Sequence, residues 1–275
     1  MNFKAQLRIV ISEFQKSIKI WLAYPILLVF WVIAPLMWLL PFIFQGKALV
    51  GGMHSEAFKN LTGSPNYLPF VLIGAMVSTY IFSGLWGVGN SLREETYWGT
   101  LEYIIASPAS PILVLLGKTL AEFLYASVNV GLQALLATLF LGLNLTITKI
   151  LPVLVIVLLL VIGFYGFAIA FAGLTLLIKE AHGWVHTIEW VFYLFSPIRY
   201  PVEVSPITKT LSALIPLTYA LVAIRTIILL NKNLGDLHKI IFILLIMDIV
   251  LLLGGYIIFR LSERRTKVAG TLGQY

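Results

Sequence analysis

The chain has 275 residues, of which 60% are hydrophobic and 11% are charged, and its formal net charge is +7. Soluble globular domains carry about a quarter charged residues, so this composition excludes most soluble enzymes. The absence of cysteine excludes disulfides and cysteine-ligated metal sites. Several uninterrupted apolar runs can each cross a bilayer, which takes roughly 20 helical residues. The sequence therefore predicts an all-α, multi-pass membrane protein whose excess cations meet anionic lipid rather than nucleic acid.

The first predicted element, residues 1–20, is an amphipathic helix. Its apolar residues recur at helical spacing: Phe3, Leu7, Val10, Phe14 and Ile18. Lys4, Arg8, Glu13 and Lys16 interrupt this stripe with charge. We expect an interfacial helix lying on the membrane. The alternative is a helical extension of the first span.

Six spans are predicted within a single transmembrane domain, residues 1–275. They cover residues 21–44, 67–89, 111–143, 151–178, 184–195 and 240–259. The turn at 144–149 makes a hairpin of the third and fourth spans. Six crossings place both termini on one side, and the positive-inside rule favours the cytoplasmic side of the cell membrane.

Residues 90–110 form a charged segment between the second and third spans. Gly99 can end one helix, Thr100 can cap the next, and Ser107-Pro108 can stop it, which predicts a helix of about two turns. Ser110 then caps a new helix with Pro111 at its first position. From the residues alone, this segment is equally an ordinary solvated loop or a knob that fits a partner's cleft.

Residues 196–239 are punctuated by four prolines: Pro197, Pro201, Pro206 and Pro216. They delimit two helical stretches, about 207–214 and 217–230. The second stretch is apolar but only about 14 residues long, which suits a re-entrant or interfacial segment better than a crossing. We expect these short helices on the outer side of the membrane.

Two separated motifs resemble those of ABC-2 type ABC-transporter permeases. The first comprises Arg93-Glu94-Glu95, Gly99-Thr100-Leu101-Glu102, Ser107-Pro108-Ala109-Ser110 and Gly117-Lys118. The second comprises Tyr200-Pro201-Val202-Glu203, Pro206, Leu211, Ile215-Pro216-Leu217-Thr218-Tyr219-Ala220 and Ala223-Ile224-Arg225. Ile215 departs from the family pattern, where asparagine is common. The resemblance covers essentially the whole chain and is closest to drug and antibiotic-resistance permeases.

This resemblance implies a dimeric permease bound to two ATPase subunits, which hold ATP and Mg²⁺. It implies a coupling element that docks on the ATPase and contains Arg93, Glu94, Glu95, Gly99, Thr100, Leu101, Glu102, Ser107 and Pro108. It also implies that outer re-entrant helices contain Tyr200, Pro201, Pro206, Pro216, Tyr219 and Arg225.

We expect no ATPase site and no cofactor in the chain itself. Gly117-Lys118-Thr119 resembles the end of a phosphate-binding loop, but Ile112 stands where that motif needs glycine. Lys118 and Glu122 read more simply as a surface ion pair one helical turn apart. His182 and His186 share a helix face, but the sequence offers no third ligand, so no metal site is predicted.

Ionisable residues inside spans are functional candidates. Glu189 is either a contact for a substrate cation, part of a proton relay, or a structural partner of Arg199 or Arg225. Asp248 either caps a buried network or lies near a dimer axis. The candidate translocation path contains Tyr80, Phe82, Trp86, Phe164, Tyr165 and Glu189, although lipid-facing packing is the ordinary role of such aromatic residues.

The leading hypothesis is export of a hydrophobic or amphipathic substrate, such as a drug, an antibiotic or a lipid-like molecule. Within the same architecture, the alternative substrate is a lipid-linked polysaccharide. From other classes come an intramembrane enzyme, for which no convergent catalytic set is apparent, and a membrane-assembly subunit that transports nothing.

Overall fold

The computed structural model describes residues 2–26, 56–143, 145–178 and 181–269, together with seven residues between 29 and 44. The helices, numbered here in chain order, are α1 Phe3–Ala23, α2 Glu56–Thr62, α3 Tyr67–Ser83, α4 Ser91–Tyr97, α5 Leu101–Ala106, α6 Pro111–Phe140, α7 Ile147–Thr175, α8 Ala181–Phe195, α9 Pro206–Ser212, α10 Pro216–Leu229 and α11 His238–Ala269. A π-helical segment, Gly84–Gly89, continues α3, and short 3₁₀ helices cover Val202–Val204 and Leu234–Leu237. The described part of the chain is all-helical, as predicted.

Within the described residues the structure supports four to five membrane spans, and the six-span layout stays a prediction. Four helical segments are long and apolar enough to cross a membrane: Tyr67–Gly89, Pro111–Phe140, Ile147–Thr175 and Leu234–Val268. The pair α9 and α10, bent by 97°, could count as a fifth. Eleven of the 24 residues in the predicted span 21–44 lie outside the described residues. Helix α8 has 15 residues, short of a crossing, because the chain leaves the helix just before Pro197.

Several helix ends differ from the predicted ones. Helix α6 ends at Phe140, before the predicted end at residue 143, because Gly142 takes a left-handed turn with φ of +70°. Helix α7 begins at Ile147, before the predicted start at residue 151. Helix α11 continues ten residues past the predicted end of the last span. Ion pairs one turn apart support this extension: Glu263 contacts Arg260 at 3.1 Å and Lys267 at 2.8 Å. Helix α2 was not predicted. Asn144, in the predicted hairpin turn, lies outside the described residues.

Two helix pairings organise the fold. Helix α11 runs parallel to α7, and glycines let the two backbones meet, with Gly163 against Asp248 and Gly166 against Gly255. Helix α1 runs parallel to the first part of α6, where Gly117 lies against the backbone of α1 and Trp21 contacts Tyr125 at 4.5 Å. The main apolar core lies between α3, α7, α8 and α10.

Candidate functional site

The segment between the second and third predicted spans folds as two short helices, α4 and α5, joined by a tight turn. Gly99 makes this turn with φ of +69°, in the left-handed region that glycine adopts without strain. Thr100 precedes α5, as predicted, but its side chain does not cap that helix. Its hydroxyl donates a hydrogen bond to the Glu95 carboxylate instead. We call residues 90–110, which contain the predicted coupling residues, the coupling segment.

Glu95 ties the coupling segment to α1. The Lys16 ammonium donates to Glu95 Oε1 at 2.6 Å and contacts Glu13 at 3.1 Å. Burial would lower the pKa of Lys16, but the hydrogen bond with Glu95 and the charge of Glu13 outweigh it and raise that pKa. Lys16 therefore stays charged over the whole physiological pH range. The sequence reasoning missed this contact because its two partners are 79 residues apart.

The two faces of the coupling segment differ sharply in exposure. Leu101 is 2% exposed and packs with Val88, Leu92 and Leu115. Arg93 and Glu95 are also buried, and the guanidinium of Arg93 lies over the Tyr97 ring. The outward face presents Tyr97, Trp98, Gly99, Thr100, Glu102, Tyr103 and Pro108. Of the nine predicted coupling residues, three are thus buried and anchor the segment, four are exposed, and Glu94 and Ser107 are intermediate.

A buried carboxylate lies beside this anchor. Glu122 was predicted to form a surface pair with Lys118, but it is buried and packs against the π-helical segment. Gly87 makes room for it, since a Cβ there would lie 2.2 Å from Glu122 Cδ. Ser83 Oγ donates to Glu122 at 2.8 Å, and Lys118 lies 3.7 Å away. Burial raises the pKa of Glu94, a neighbour of this carboxylate, above its usual value. The charge of Lys118 opposes this shift, and the charge of Glu122 adds to it.

Three of the six predicted path residues meet on one face of the protein. The Trp86 indole N–H donates to Glu189 Oε1 at 2.6 Å, and His186 Nδ1 lies 3.2 Å from Glu189 Oε2. Phe82 stacks on Tyr193 with ring centroids 4.9 Å apart. We call this face the aromatic face. It places one carboxylate among aromatic rings contributed by α3, the π-helical segment and α8.

The other three path residues lie elsewhere. Tyr80, Phe164 and Tyr165 line a cavity of about 20 Å³ between α3, α6 and α7, with Glu122 in its wall. This volume holds about one water molecule. Tyr80 donates to Ser127 at 3.3 Å, and Tyr165 donates to the Ile112 carbonyl at 3.4 Å. Both sets belong to one apolar core, since Tyr80 and Phe164 form part of the core against which Phe82 and Trp86 pack.

Arg225 holds the bent helix pair in place. Its guanidinium donates to the carbonyls of Pro197, Ile198 and Phe70, the last two at 3.1 and 2.8 Å, and lies 3.3 Å from the centre of the Phe70 ring. The suggested pairing of Arg225 with Glu189 is therefore wrong. The Arg225 guanidinium donates to backbone carbonyls, whereas Glu189 contacts Trp86 and His186. Gly74 permits the approach, because a Cβ there would lie 1.9 Å from the Ile198 oxygen.

The remaining residues of the outer segment shape its turns. Pro206 and Pro216 each occupy the first turn of a helix, where their missing N–H is not needed. Pro201 precedes the 3₁₀ helix Val202–Val204. Tyr200 donates to the Leu194 carbonyl, and Tyr219 donates to the Ala213 carbonyl at 3.0 Å. These contacts give the tyrosines structural partners.

Asp248 is buried against Gly163, and neither of its carboxylate oxygens has a hydrogen-bond partner among the residues described. Among all the residues that the structure describes, no three His, Asp or Glu residues cluster as metal ligands would. The side chain of His182, one of the two histidines considered above, is outside the described set.

Comparison with known proteins identifies a family for this chain. A protein-family model described as ABC-2 type transporter matches residues 10–229, from within α1 to the last residue of α10. The matched region contains the coupling segment, the aromatic face and the bent helix pair. No curated protein gives a significant match.

Proposed function

Because the chain belongs to the ABC-2 type transporter family, we propose that it is the permease subunit of an ATP-driven exporter. In this proposal, two copies of the permease, or two related permeases, meet in the cell membrane with their termini in the cytoplasm. Two ATPase subunits bind ATP and Mg²⁺ and hydrolyse the nucleotide. The chain itself contributes the membrane path and the contact that transmits the ATPase movement.

The observation that carries the proposal is the two-faced coupling segment. Tyr103 is 78% exposed and Trp98 is 56% exposed, although both are large aromatic side chains just outside the candidate spans. Aromatic side chains are typical anchors of protein interfaces. Leu101 and the Lys16–Glu95 pair fix the opposite face to the membrane helices. A force applied to Tyr103 would therefore reach α1 and α6 rather than dissipate in a mobile loop.

The first test removes the exposed contacts and leaves the anchor intact. In the double variant Glu102→Ala/Tyr103→Ala, we expect transport to fall by roughly tenfold or more, since interface aromatics commonly contribute about 2 kcal/mol. The measurement is substrate efflux from vesicles containing the full permease and its ATPase, together with the amount of ATPase that copurifies.

The matched control is Glu203→Ala/Val204→Ala, an exposed acidic–apolar pair on the outer segment. This control should transport and copurify the ATPase normally. Wild-type transport and ATPase copurification by the Glu102/Tyr103 variant would contradict the coupling assignment.

The proposed substrate is hydrophobic or amphipathic, of the drug, antibiotic or lipid-like kind. The aromatic face supports this class, because Phe82, Trp86 and Tyr193 offer apolar rings around one acid, Glu189. The same rings could stack on sugars, which is why a lipid-linked polysaccharide is the second candidate. Efflux assays with an amphipathic dye and with a labelled lipid-linked oligosaccharide distinguish the two.

Glu189 tests whether this face contacts cargo. Glu189→Gln keeps the size of the side chain and an oxygen that accepts from Trp86, but it removes the charge. If the carboxylate binds a cationic amphiphile, we expect efflux of that compound to fall about tenfold, which corresponds to roughly 1.4 kcal/mol of charge-assisted binding. The measurement compares a lipophilic cation with a neutral compound of similar size.

Neutral-compound efflux should stay normal in this variant, and so should the amount of permease in the membrane. Glu203→Gln, which neutralises an exposed outer acid, controls for net charge. Unchanged cation efflux by Glu189→Gln would remove Glu189 from the path and leave it a structural partner of Trp86 and His186.

A further inference from the structure

A cleft of about 730 Å³ separates α1 from the start of α6. The polar side chains of one wall are those of Asn2, Lys4, Arg8, Ser12, Glu13 and Lys16, and Pro108, Ala109 and Val114 line the other wall. Its volume is in the range of small-molecule binding sites. Because α6 is a candidate span that begins at Pro111, the cleft lies where the membrane boundary meets the end of the coupling segment.

Two of the three cations on the α1 wall, Lys4 and Arg8, lack acidic partners. Lys4 and Arg8 are exposed, lie one helical turn apart, and make no ion pair with any residue in the described ranges. The third cation of the cleft, Lys16, is held by Glu13 and Glu95. Two like charges at this spacing repel each other, and an anion between them removes the repulsion. The fork of Arg8 is suited to two oxygens of one phosphate group.

An apolar stripe on the same helix indicates that the anion also carries an apolar part. Phe3, Leu7 and Ile11 lie at four-residue spacing next to the two cations, and all three are exposed. Inorganic phosphate would satisfy the cations but leave this stripe in water. A lipid satisfies both, because its acyl chains cover apolar side chains while its head group stays at the membrane boundary.

We propose that this cleft binds the phosphate head group of an anionic membrane lipid, with Lys4 and Arg8 on the phosphate and the acyl chains along Phe3, Leu7 and Ile11. Charge complementarity and the position of the cleft at the membrane boundary favour this occupant over a protein partner. The bound lipid would also contact Pro108 and Ala109. Lipid binding would therefore constrain the end of the coupling segment.

The test measures lipid binding to the purified full chain and needs neither ATPase nor substrate. The detergent-solubilised protein is titrated with phosphatidylglycerol or phosphatidylcholine of the same acyl chains, and bound lipids are counted by native mass spectrometry. We expect preferential binding of phosphatidylglycerol. In Lys4→Gln/Arg8→Gln, its affinity should fall by roughly tenfold or more, because each cation near the lipid surface contributes about 1 kcal/mol.

The matched control is Lys19→Gln/Lys209→Gln, which removes two exposed cations that do not line the cleft. This control should bind phosphatidylglycerol as the wild type does. A second variant, Ala109→Trp, fills the cleft without a change of charge and should also weaken binding. The proposal is overturned if the two double variants behave alike, or if Ala109→Trp binds normally.

A last arm separates the two sources of phosphate. Excess inorganic phosphate should leave phosphatidylglycerol bound, because it lacks the acyl chains that cover the stripe. Complete displacement by inorganic phosphate would identify a site for free anions and overturn the lipid assignment. Failure of the transport tests above would leave these binding results unaffected.

Discussion

Replacing Arg225 with methionine is expected to lower the free energy of unfolding by about 3 kcal/mol, because buried acceptors lose their donors. Pro197 and Ile198 lie in a turn between α8 and the 3₁₀ helix, where no helical N–H reaches their carbonyls. Arg225 supplies the donors for both. Methionine has a similar length but no N–H. The turn and the bent pair α9–α10 would both lose their fixed position against α3.

The offsetting gain is smaller than this loss. Methionine removes a buried charge, and taking a charge into an apolar interior is costly. In the folded protein, however, three carbonyl dipoles and the Phe70 ring face that charge, so most of its desolvation is compensated. Arg225→Lys separates charge from geometry. Its single ammonium cannot span carbonyls from two segments, and we expect about half the loss.

The measurement is the apparent Tm of the detergent-purified full chain, followed by the fraction that remains monodisperse after heating. A loss of about 3 kcal/mol corresponds to a decrease in Tm of roughly 10 °C. Lys209→Met, which removes an exposed cation from the neighbouring helix α9, should leave Tm unchanged. An Arg225→Met protein as stable as the wild type would show that the guanidinium does not hold the turn.

The sequence predicts features that local chemistry determines. Pro111, Pro206 and Pro216 each mark a helix start, and the structure has a helix beginning at each of them. Apolar runs likewise identify four of the spans, because hydropathy alone decides which segments can lie in lipid. The helix starts and the spans are thus determined by residues that are close together along the chain.

Features that depend on distant neighbours were missed. Glu122 and Lys118 have the spacing of a surface pair, and nothing local indicates that Gly87 opens a buried space for the carboxylate. The π-helical segment is equally hidden. Its apolar residues fit an α-helix, and the contacts of Gly84 with Phe164 and Gly89 with Phe171 arise only when α7 packs against it.

The same limit applies to the candidate site. The coupling segment could be located from its motif, but which residues face inward depends on contacts such as Lys16 with Glu95. Leu101 illustrates this point. From its sequence position it could serve a partner's cleft, whereas the structure buries it against Leu92 and Leu115. The division into an anchor and an exposed face is therefore a result of tertiary packing.

Alanine substitutions at two adjacent glycines of α11 are expected to have very different effects on stability, so that one variant serves as the control for the other. Gly255→Ala is expected to destabilise the protein by about 3 kcal/mol, at the upper end for overpacked sites, because the new Cβ would lie 2.0 Å from the Gly166 oxygen. The obstacle is the backbone of α7, which cannot rotate away as a side chain can. The two parallel helices would have to separate along their whole contact, including the Gly163–Asp248 approach.

Gly254→Ala changes the same chemistry one residue earlier, where a Cβ meets nothing within 4 Å. Alanine is favoured over glycine in a helix by up to about 1 kcal/mol, so this variant should be neutral or slightly more stable. The apparent Tm of Gly255→Ala should therefore fall, whereas that of Gly254→Ala should stay at the wild-type value or rise slightly. Equal shifts would mean that helix propensity, not the close contact of α7 with α11, decides stability at this position. A lowered Tm for Gly255→Ala alone would identify the Gly166–Gly255 contact as the point that fixes the spacing of α7 and α11, the two most apolar candidate spans among the described residues. In lipid, close backbone approach replaces the hydrophobic effect as the source of helix association.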